Sequence, residues 1–587
     1  MVRFLGGNYR NFRILLVYSS ATLHTPQEVV QNSLLENTAM SMHPQPIGPV
    51  PEDTARVARA AFPKGSVYMQ MRNVLGSIYD DEDFLDLFEV RGRPAIAPWR
   101  LALVTLMQFS EGLSDRQAAE AVRARIDWKY ALGLQLSDPG FDFSVLSEFR
   151  SRLVAGGAEH LLLERLLEAC KERGCLKVRG RQRTDSTHVL GALRVLSKWE
   201  RAAETMRAAL NAVAAADPEW LAERADPEWF ERYARRIEDQ RLPKGKKARE
   251  QYLKAVGADG LRLLGQLDAP HTPEVLKELA EVQILRQIWE HHYERIDGRI
   301  RVLNPKEMPE AAQRIESPYE VEARFSTKRS MDWVGYKVHL TESCDEGFPH
   351  LITDVHTTTA TANDVKQLGA IQQRLVRSGL LPAEQLADSS YVCGSNLVAS
   401  HARQIDLIGP PYKDNSWQAK ANEGFDVTNF RIDWDNKTVS CPEERQSIRW
   451  SKTKTARGRK MIHVEFAPEE CAACPSRPLC TRAKNLPRAL TLQPREEHEA
   501  IQSARRRQST EDFASIYSHR AGIEGTISQG VRAFGLRKAR YRGLEKTHLQ
   551  ELATATAVNV GRIANWLNGV PTAITRRSRL ATLAPAS

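Results

Sequence analysis

The hydrophobic pattern changes period near residue 330, and this limits the available folds more than any other feature of the chain. WVGYKVHLTES alternates apolar and polar residues as a strand does, and PHLITDVHTTTA follows with many β-branched residues. NDVKQLGAIQQRLVRSGL returns to the three- and four-residue steps of an amphipathic helix. EQLADSSY predicts a short strand ending in a turn, VCGSNLVASHAR a helix, and QIDLIGPP a buried strand stopped by prolines. Strand, strand, helix, strand, helix, strand predicts an α/β core. RQRTDSTHV, near residue 185, predicts another strand; if it is the first of the sheet, residues 193–325 separate it from the second.

The remaining zones differ from this core. Residues 55–175 read as an N-terminal helical domain, in which Gly112 ends one helix and Ser114 caps the next. Helix, short turn, helix is the shape of a DNA reader offering Arg116, Gln117 and Arg123, and equally that of a plain helical hairpin. Residues 193–325 read as an all-helical insertion, interrupted by KGKKAR at 244–249. Residues 411–500 read as a small β-rich, basic insertion bearing four cysteines. The core segments are then 176–192, 326–410 and 501–568, the last ending in a helix with one apolar face. Residues 1–50 suggest a disordered arm or an over-extended start before Met40 and Met42, and 569–587 an unstructured tail.

A chain of 587 residues, 42% hydrophobic and 27% charged, has material for a large core, and its net charge of +10 suits a polyanionic partner. No run approaches the ~20 apolar residues that span a bilayer, and ILLV near the start is too short for a secretion signal. The expectation is a cytoplasmic protein whose cysteines are thiols or metal ligands.

Three carboxylates stand out by position. Asp185 in RTDSTHV and Asp388 in LADSSYV are both expected at strand ends, followed by hydroxyl residues. Glu524 lies in HRAGIEGTISQG, a helical stretch holding Gly522, Gly525 and Gly530, although each interior glycine costs about 1 kcal/mol. Tyr517, Arg520 and Glu524 are spaced to share a helix face. Converging carboxylates repel unless a cation compensates them, and Mg²⁺ takes such oxygen ligands. The glycines would let this helix approach the sheet or a DNA backbone closely. Asp332, Asp354 and Asp364 rank below the three as turn or supporting residues.

RTDSTHV, LADSSYV and YSHRAGIEGTISQG together resemble the three signature blocks of DDE transposases of bacterial insertion sequences. The similarity is to the group whose last block reads Tyr, two residues, Arg, three residues, Glu, six residues, Lys, and it covers about 60–568. It implies an RNase H-like core, with Asp185, Asp388 and Glu524 holding two Mg²⁺ or Mn²⁺ ions. It implies cutting of element ends and joining of the 3′ hydroxyl to double-stranded target DNA, by a homodimer on paired ends. Tyr517 and Arg520 would hold the DNA backbone. The signature Lys is replaced by Val531, with Arg532 or the cluster Arg537, Lys538 and Arg540 as substitutes. Alternatives are an inactive DNA-binding regulator and a metal-dependent nuclease on the same core.

Cys441, Cys471, Cys474 and Cys480 fit either one tetrahedral structural Zn²⁺ or four reduced thiols in a small core. Cys170, Cys175, Cys344 and Cys393 read as packing residues. Basic runs at 451–460, 504–507 and 535–543 suit phosphates. Trp417, Trp434, Trp450 and Tyr541 are either core residues or platforms for an unpaired base.

Overall fold

A computed structural model of the chain describes residues 40–571, except 241, 297–298, 329 and 457. The arm expected over 1–50 lies outside the described residues up to 39, and the expected tail does so from 572. Met40–Ser41 pairs in parallel with Arg93–Pro94, and the Ser41 hydroxyl donates to Gly92 O at 2.9 Å.

In the N-terminal zone, α1 (Pro98–Glu111) opens on proline, where no backbone bond is lost, and stops at Gly112 with φ 69°. Ser114 caps α2 (Asp115–Ala124): Gln117 N donates to its hydroxyl, and Ser114 N donates to the Gln117 side chain.

Six strands form the central sheet: β1 (Arg181–Leu190), β2 (Arg324–Lys328), β3 (Met331–Ser343), β4 (Ile352–Thr359), β5 (Glu384–Ala387) and β6 (Asp406–Ile408). Their order is β6-β5-β1-β3-β2, with β4 also paired to β3. β1, β5 and β6 are parallel; β3 is antiparallel to β1, and β2 and β4 are antiparallel to β3. The connecting helices are α3 (Asp364–Arg377) and α4 (Gly394–Ala402). The sheet is thus mixed, and the predicted α/β alternation is present.

The segment between β1 and β2 has its own core, including Met206, Trp220, Trp229 and Trp289. It is not all-helical: Tyr293–Ile296 pairs antiparallel with Arg299–Val302. The sequence Asp297-Gly298 between them is a strong hairpin signal, hidden by the apolar helical run just before it. Over 411–500, Arg431–Asp433 pairs with Thr438–Ser440, and Ser447–Lys454, Lys460–Phe466 and Ala489–Leu492 make a three-stranded sheet.

The C-terminal helical stretch is broken rather than continuous. α5 (Arg495–Gln508) gives way to α6 (Glu511–Ser518), whose start is capped by Thr510, accepting from Phe513 N at 3.2 Å. A 3₁₀ turn at His519–Ala521 leads into α7 (Gly522–Phe534), and α8 (Leu544–Leu567) follows. α8 was expected to bury one face, but it is buried without interruption from Leu549 to Val560. Its alanines and threonines let neighbours close in on every side, and several of its polar groups bond to the elements packed around it. Asn559, for example, exchanges two 2.8 Å bonds with the Ile352 backbone.

This buried helix explains why the N-terminal helices do not stand apart. Trp99, Leu103 and Leu163 share one apolar core with Leu340 and Val355 of the sheet and Leu552 and Val560 of α8. Among the described residues no helix is long and apolar enough to cross a membrane.

Candidate active site

β1 is almost wholly polar, yet Gln182 to Thr187 are buried. Strand alternation sends Arg183, Asp185 and Thr187 to one face and Gln182, Thr184 and Ser186 to the other. The first face meets the C-terminal helices. Arg183 Nη1 donates to His519 O at 2.6 Å, Asp185 pairs with Arg520, and Arg537 Nε donates to Thr187 Oγ1 at 2.8 Å. On the second face, Ser186 Oγ donates to Asp364 Oδ2 at 3.0 Å.

Asp185 sits in mid-strand, not at the strand end that the sequence suggested. β1 runs on past it because its antiparallel pairing with β3 continues to Leu190↔Gly335, and Leu190 also exchanges backbone bonds of 2.9 Å with Arg537 and Ala539. Asp388 does follow the last residue of its strand. Parallel pairing of β1 with β5 ends at Thr184↔Ala387, so the next register step sets Asp185 beside Asp388.

Glu524 lies in the first turn of α7, where the helix dipole favours a carboxylate. Arg520 joins it to the sheet: Nη2 lies 2.5 Å from Asp185 Oδ2, and Nη1 lies 2.8 Å from Glu524 Oε1. Tyr517 stacks on Phe513 with ring centroids 5.2 Å apart, beside the same cluster. Of the three glycines, only Gly522 is required by close approach to the sheet, since a Cβ there would collide with the Arg183 guanidinium. Gly525 faces open space, and Gly530 packs on Leu536.

A buried ionic network fixes this approach. Glu342 of β3, fully buried, pairs with Arg183 at 2.5 Å and Arg562 at 2.8 Å, and accepts from the Thr526 hydroxyl of α7. The sequence reading missed Arg183, Glu342 and Arg562. Their signal was charged residues placed inside strands and in a helix that must be buried.

Burial pushes the Asp185 carboxyl up to about 6; Arg520 and the Ser186 N–H oppose the rise, and Asp388 adds to it. Burial likewise raises the Tyr517 phenol, with Arg520 opposing and the three carboxylates adding.

Asp364 is closer to the site than its sequence ranking implied. It accepts from Ser186 and from Ser390 Oγ at 3.2 Å, and pairs with Lys337 at 2.7 Å; Ser390 also donates to Asp388. Asp354 instead pairs with Arg374, and Asp332 is exposed in the β2–β3 hairpin.

Among the described residues, no three His, Cys, Asp or Glu side chains stand together as a ready-made metal site. At the carboxylates Arg520 supplies the positive charge between Asp185 and Glu524. The donors themselves are hard oxygens on a buried strand, a turn and a helix, which suits Mg²⁺ or Mn²⁺.

The expected DNA contacts are divided. Arg532, Lys538, Arg540, Arg116 and Arg123 are exposed and Arg537 is half-buried, but several of them already have partners. Arg540 lies over Phe109, and Arg116 over Phe143 at 3.9 Å; Arg123 donates to Pro139 O at 2.9 Å. Val531, at the position of the signature Lys, packs against the main core, where an ammonium would be costly. Trp434 meets Trp450 edge-on, Trp417 lies under Arg482, and Tyr541 lies under Arg150 and packs on the core. The four late cysteines are free thiols around one small cavity.

Two family models match the chain, a Transposase domain (DUF772) over residues 56–152 and a Transposase DDE domain over 440–564. The second spans Tyr517, Arg520 and Glu524, while Asp185 and Asp388 lie outside both. No curated protein matches the chain. Two transposase domain models, one towards either end of the chain, support a DNA transposase of the DDE kind found in insertion sequences.

Proposed function

We propose that Asp185, Asp388 and Glu524 form the catalytic site and hold two Mg²⁺ or Mn²⁺ ions for phosphodiester hydrolysis and strand transfer. The observation that carries this is Arg520 spanning Asp185 and Glu524 while the β1–β5 register brings Asp388 alongside Asp185. In the same reading the sheet is an RNase H-like core, interrupted by the 193–325 and 411–500 segments. Three parallel strands next to an antiparallel meander support it.

The bound ions would neutralise the phosphate oxygens and make water a better nucleophile. The chain's own groups do the rest. Asp185 and Asp388 are fixed on adjacent strands, and Glu524 is brought in by α7, so the acceptor oxygens are arranged before DNA arrives. Water adds to phosphorus and the element's 3′ oxygen leaves with a proton. That 3′ hydroxyl then adds to a target phosphate and displaces the target's own 3′ oxygen. One phosphodiester is broken as another is made, so the joining step needs no external energy source.

Arg532 and Lys538, exposed beyond α7's first turns, would meet the backbone of double-stranded DNA, with Tyr517 and Arg520 nearer the cut. Arg537 and Arg540 would act through the loop they hold, and Arg116 and Arg123 through α2. A homodimer pairing two ends, working in the cytoplasm on the nucleoid, completes the reading.

The test uses a duplex carrying an element end, incubated with protein and Mg²⁺. Asp185→Ala should bind the end without nicking or joining it. Continued nicking would show that Asp185 has another role, and cutting without any joined product would point to a plain nuclease.

A further inference from the structure

The cysteine-bearing segment has little to hold it together. Its core has six buried hydrophobic residues, Phe430, Val439, Val464, Phe466, Leu490 and Leu492, beneath one hairpin and one three-stranded sheet. Small cores of this kind usually need a disulfide, a metal or a partner as a staple.

The four cysteines come from separate turns and short helices of this segment. Cys441 follows a strand in a tight turn, its N–H donating to Arg445 O at 2.9 Å. Cys471 lies in the short helix Pro468–Ala472, Cys474 just beyond it, and Cys480 ends Arg477–Cys480. All four line a cavity of ≈ 30 Å³, room for a water-sized occupant.

A second observation points to charge in that cavity. Arg488 lines it, and its Nε is buried without a hydrogen-bond acceptor. A neutral thiol is a poor acceptor, whereas a thiolate is a good one. Arg445 and Arg477 also line the cavity, balanced by Glu443 and Glu470, so Arg488 is the cation there whose Nε lacks an acceptor.

We propose that Cys441, Cys471, Cys474 and Cys480 bind one structural Zn²⁺ as four thiolates, closing the β segment around it. The sulfurs ring the cavity without being drawn together as ligands. Binding contracts the ring to tetrahedral Zn–S contacts of roughly 2.3 Å and releases the thiol protons. Arg488 Nε then donates to one of the sulfurs.

The test is elemental analysis of the full-length protein purified without chelator. One zinc per chain is expected, with loss of at least 90% of it in the Cys471→Ser/Cys474→Ser double variant. Asp185→Ala should keep its zinc, so this result is separable from the outcome for the carboxylate site. Where the double variant fails to fold, Co²⁺ exchange into the wild type decides: sulfur-to-metal charge-transfer bands and tetrahedral visible bands are expected. A wild type without zinc and without those bands, or mass spectrometry showing disulfides among the four, overturns the proposal.

Discussion

Gly522 lies against the guanidinium of Arg183, so closely that a side chain on this glycine would occupy the same space. Arg183 is itself held by Glu342 and His519 O, and cannot swing away without exposing buried charge. Gly522→Ala should therefore destabilise the protein by about 1–3 kcal/mol and displace Glu524. Gly525→Ala is the control, since a Cβ there meets nothing within 4 Å. It should be neutral or stabilising by up to about 1 kcal/mol in urea unfolding. Equal losses for the two variants would remove the close-approach argument.

Arg520 compensates Asp185 and Glu524 at once, and its side chain is 16% exposed. Without it, repulsion between the carboxylates is unrelieved until divalent cations arrive. Arg520→Ala should lower the melting temperature in metal-free buffer and show a larger Mg²⁺-induced rise than the wild type. Adding Asp185→Asn should abolish the extra rise. Differential scanning fluorimetry with and without Mg²⁺ reads both effects, and an equal Mg²⁺ response in all three proteins would contradict them.

Much of this site was legible because its parts are local. The strand and helix periods around β3, β4 and α3 are strong, and Asp388 follows a short apolar strand. Asp185 was placed at a strand end because its strand is polar, and sequence alone does not show that its pairing with β3 continues to Leu190. Asp364 was ranked low for a similar reason. Its neighbours Ser186 and Ser390 are 178 and 26 residues away in sequence, and only the β1–β5 register unites them. Partners fixed by long-range pairing leave no periodic trace.

Ser390 has one hydroxyl proton and two carboxylate acceptors, Asp388 and Asp364. Ser390→Ala should cost about 1 kcal/mol of stability and slow end cleavage by roughly tenfold, because Asp388 loses a positioning bond. Asp364→Asn does more, leaving Lys337 partly buried without its counter-charge. A loss of about 3 kcal/mol or more is expected, with over half recovered in Asp364→Asn/Lys337→Met. Thermal unfolding of the four proteins distinguishes the pair from its parts, and an additive double variant would count against the coupling.

Acid stability supplies the last prediction. His548 of α8 is buried, bonded to Thr357 Oγ1 at 3.1 Å, and burial, with Arg374, His356 and His160 nearby, lowers it to about 3. His292 and His339 are also lowered to about 3, burial again being the largest cause. Unfolded imidazoles take protons near 6.5, so between about 6.5 and 3 the unfolded chain binds more protons than the folded one. Stability from these groups is complete above about 6.5 and falls as pH drops through that window. Asp185 acts oppositely between about 4 and 6, because its carboxyl gains a proton more readily in the folded state. His548→Asn should be less stable at pH 8 because it leaves space in the core. Its acid slope, however, should be shallower by up to about 1.4 kcal/mol per pH unit. Urea unfolding at several pH values between 8 and 5 measures the difference, and parallel curves for variant and wild type would show that His548 takes up no proton on unfolding.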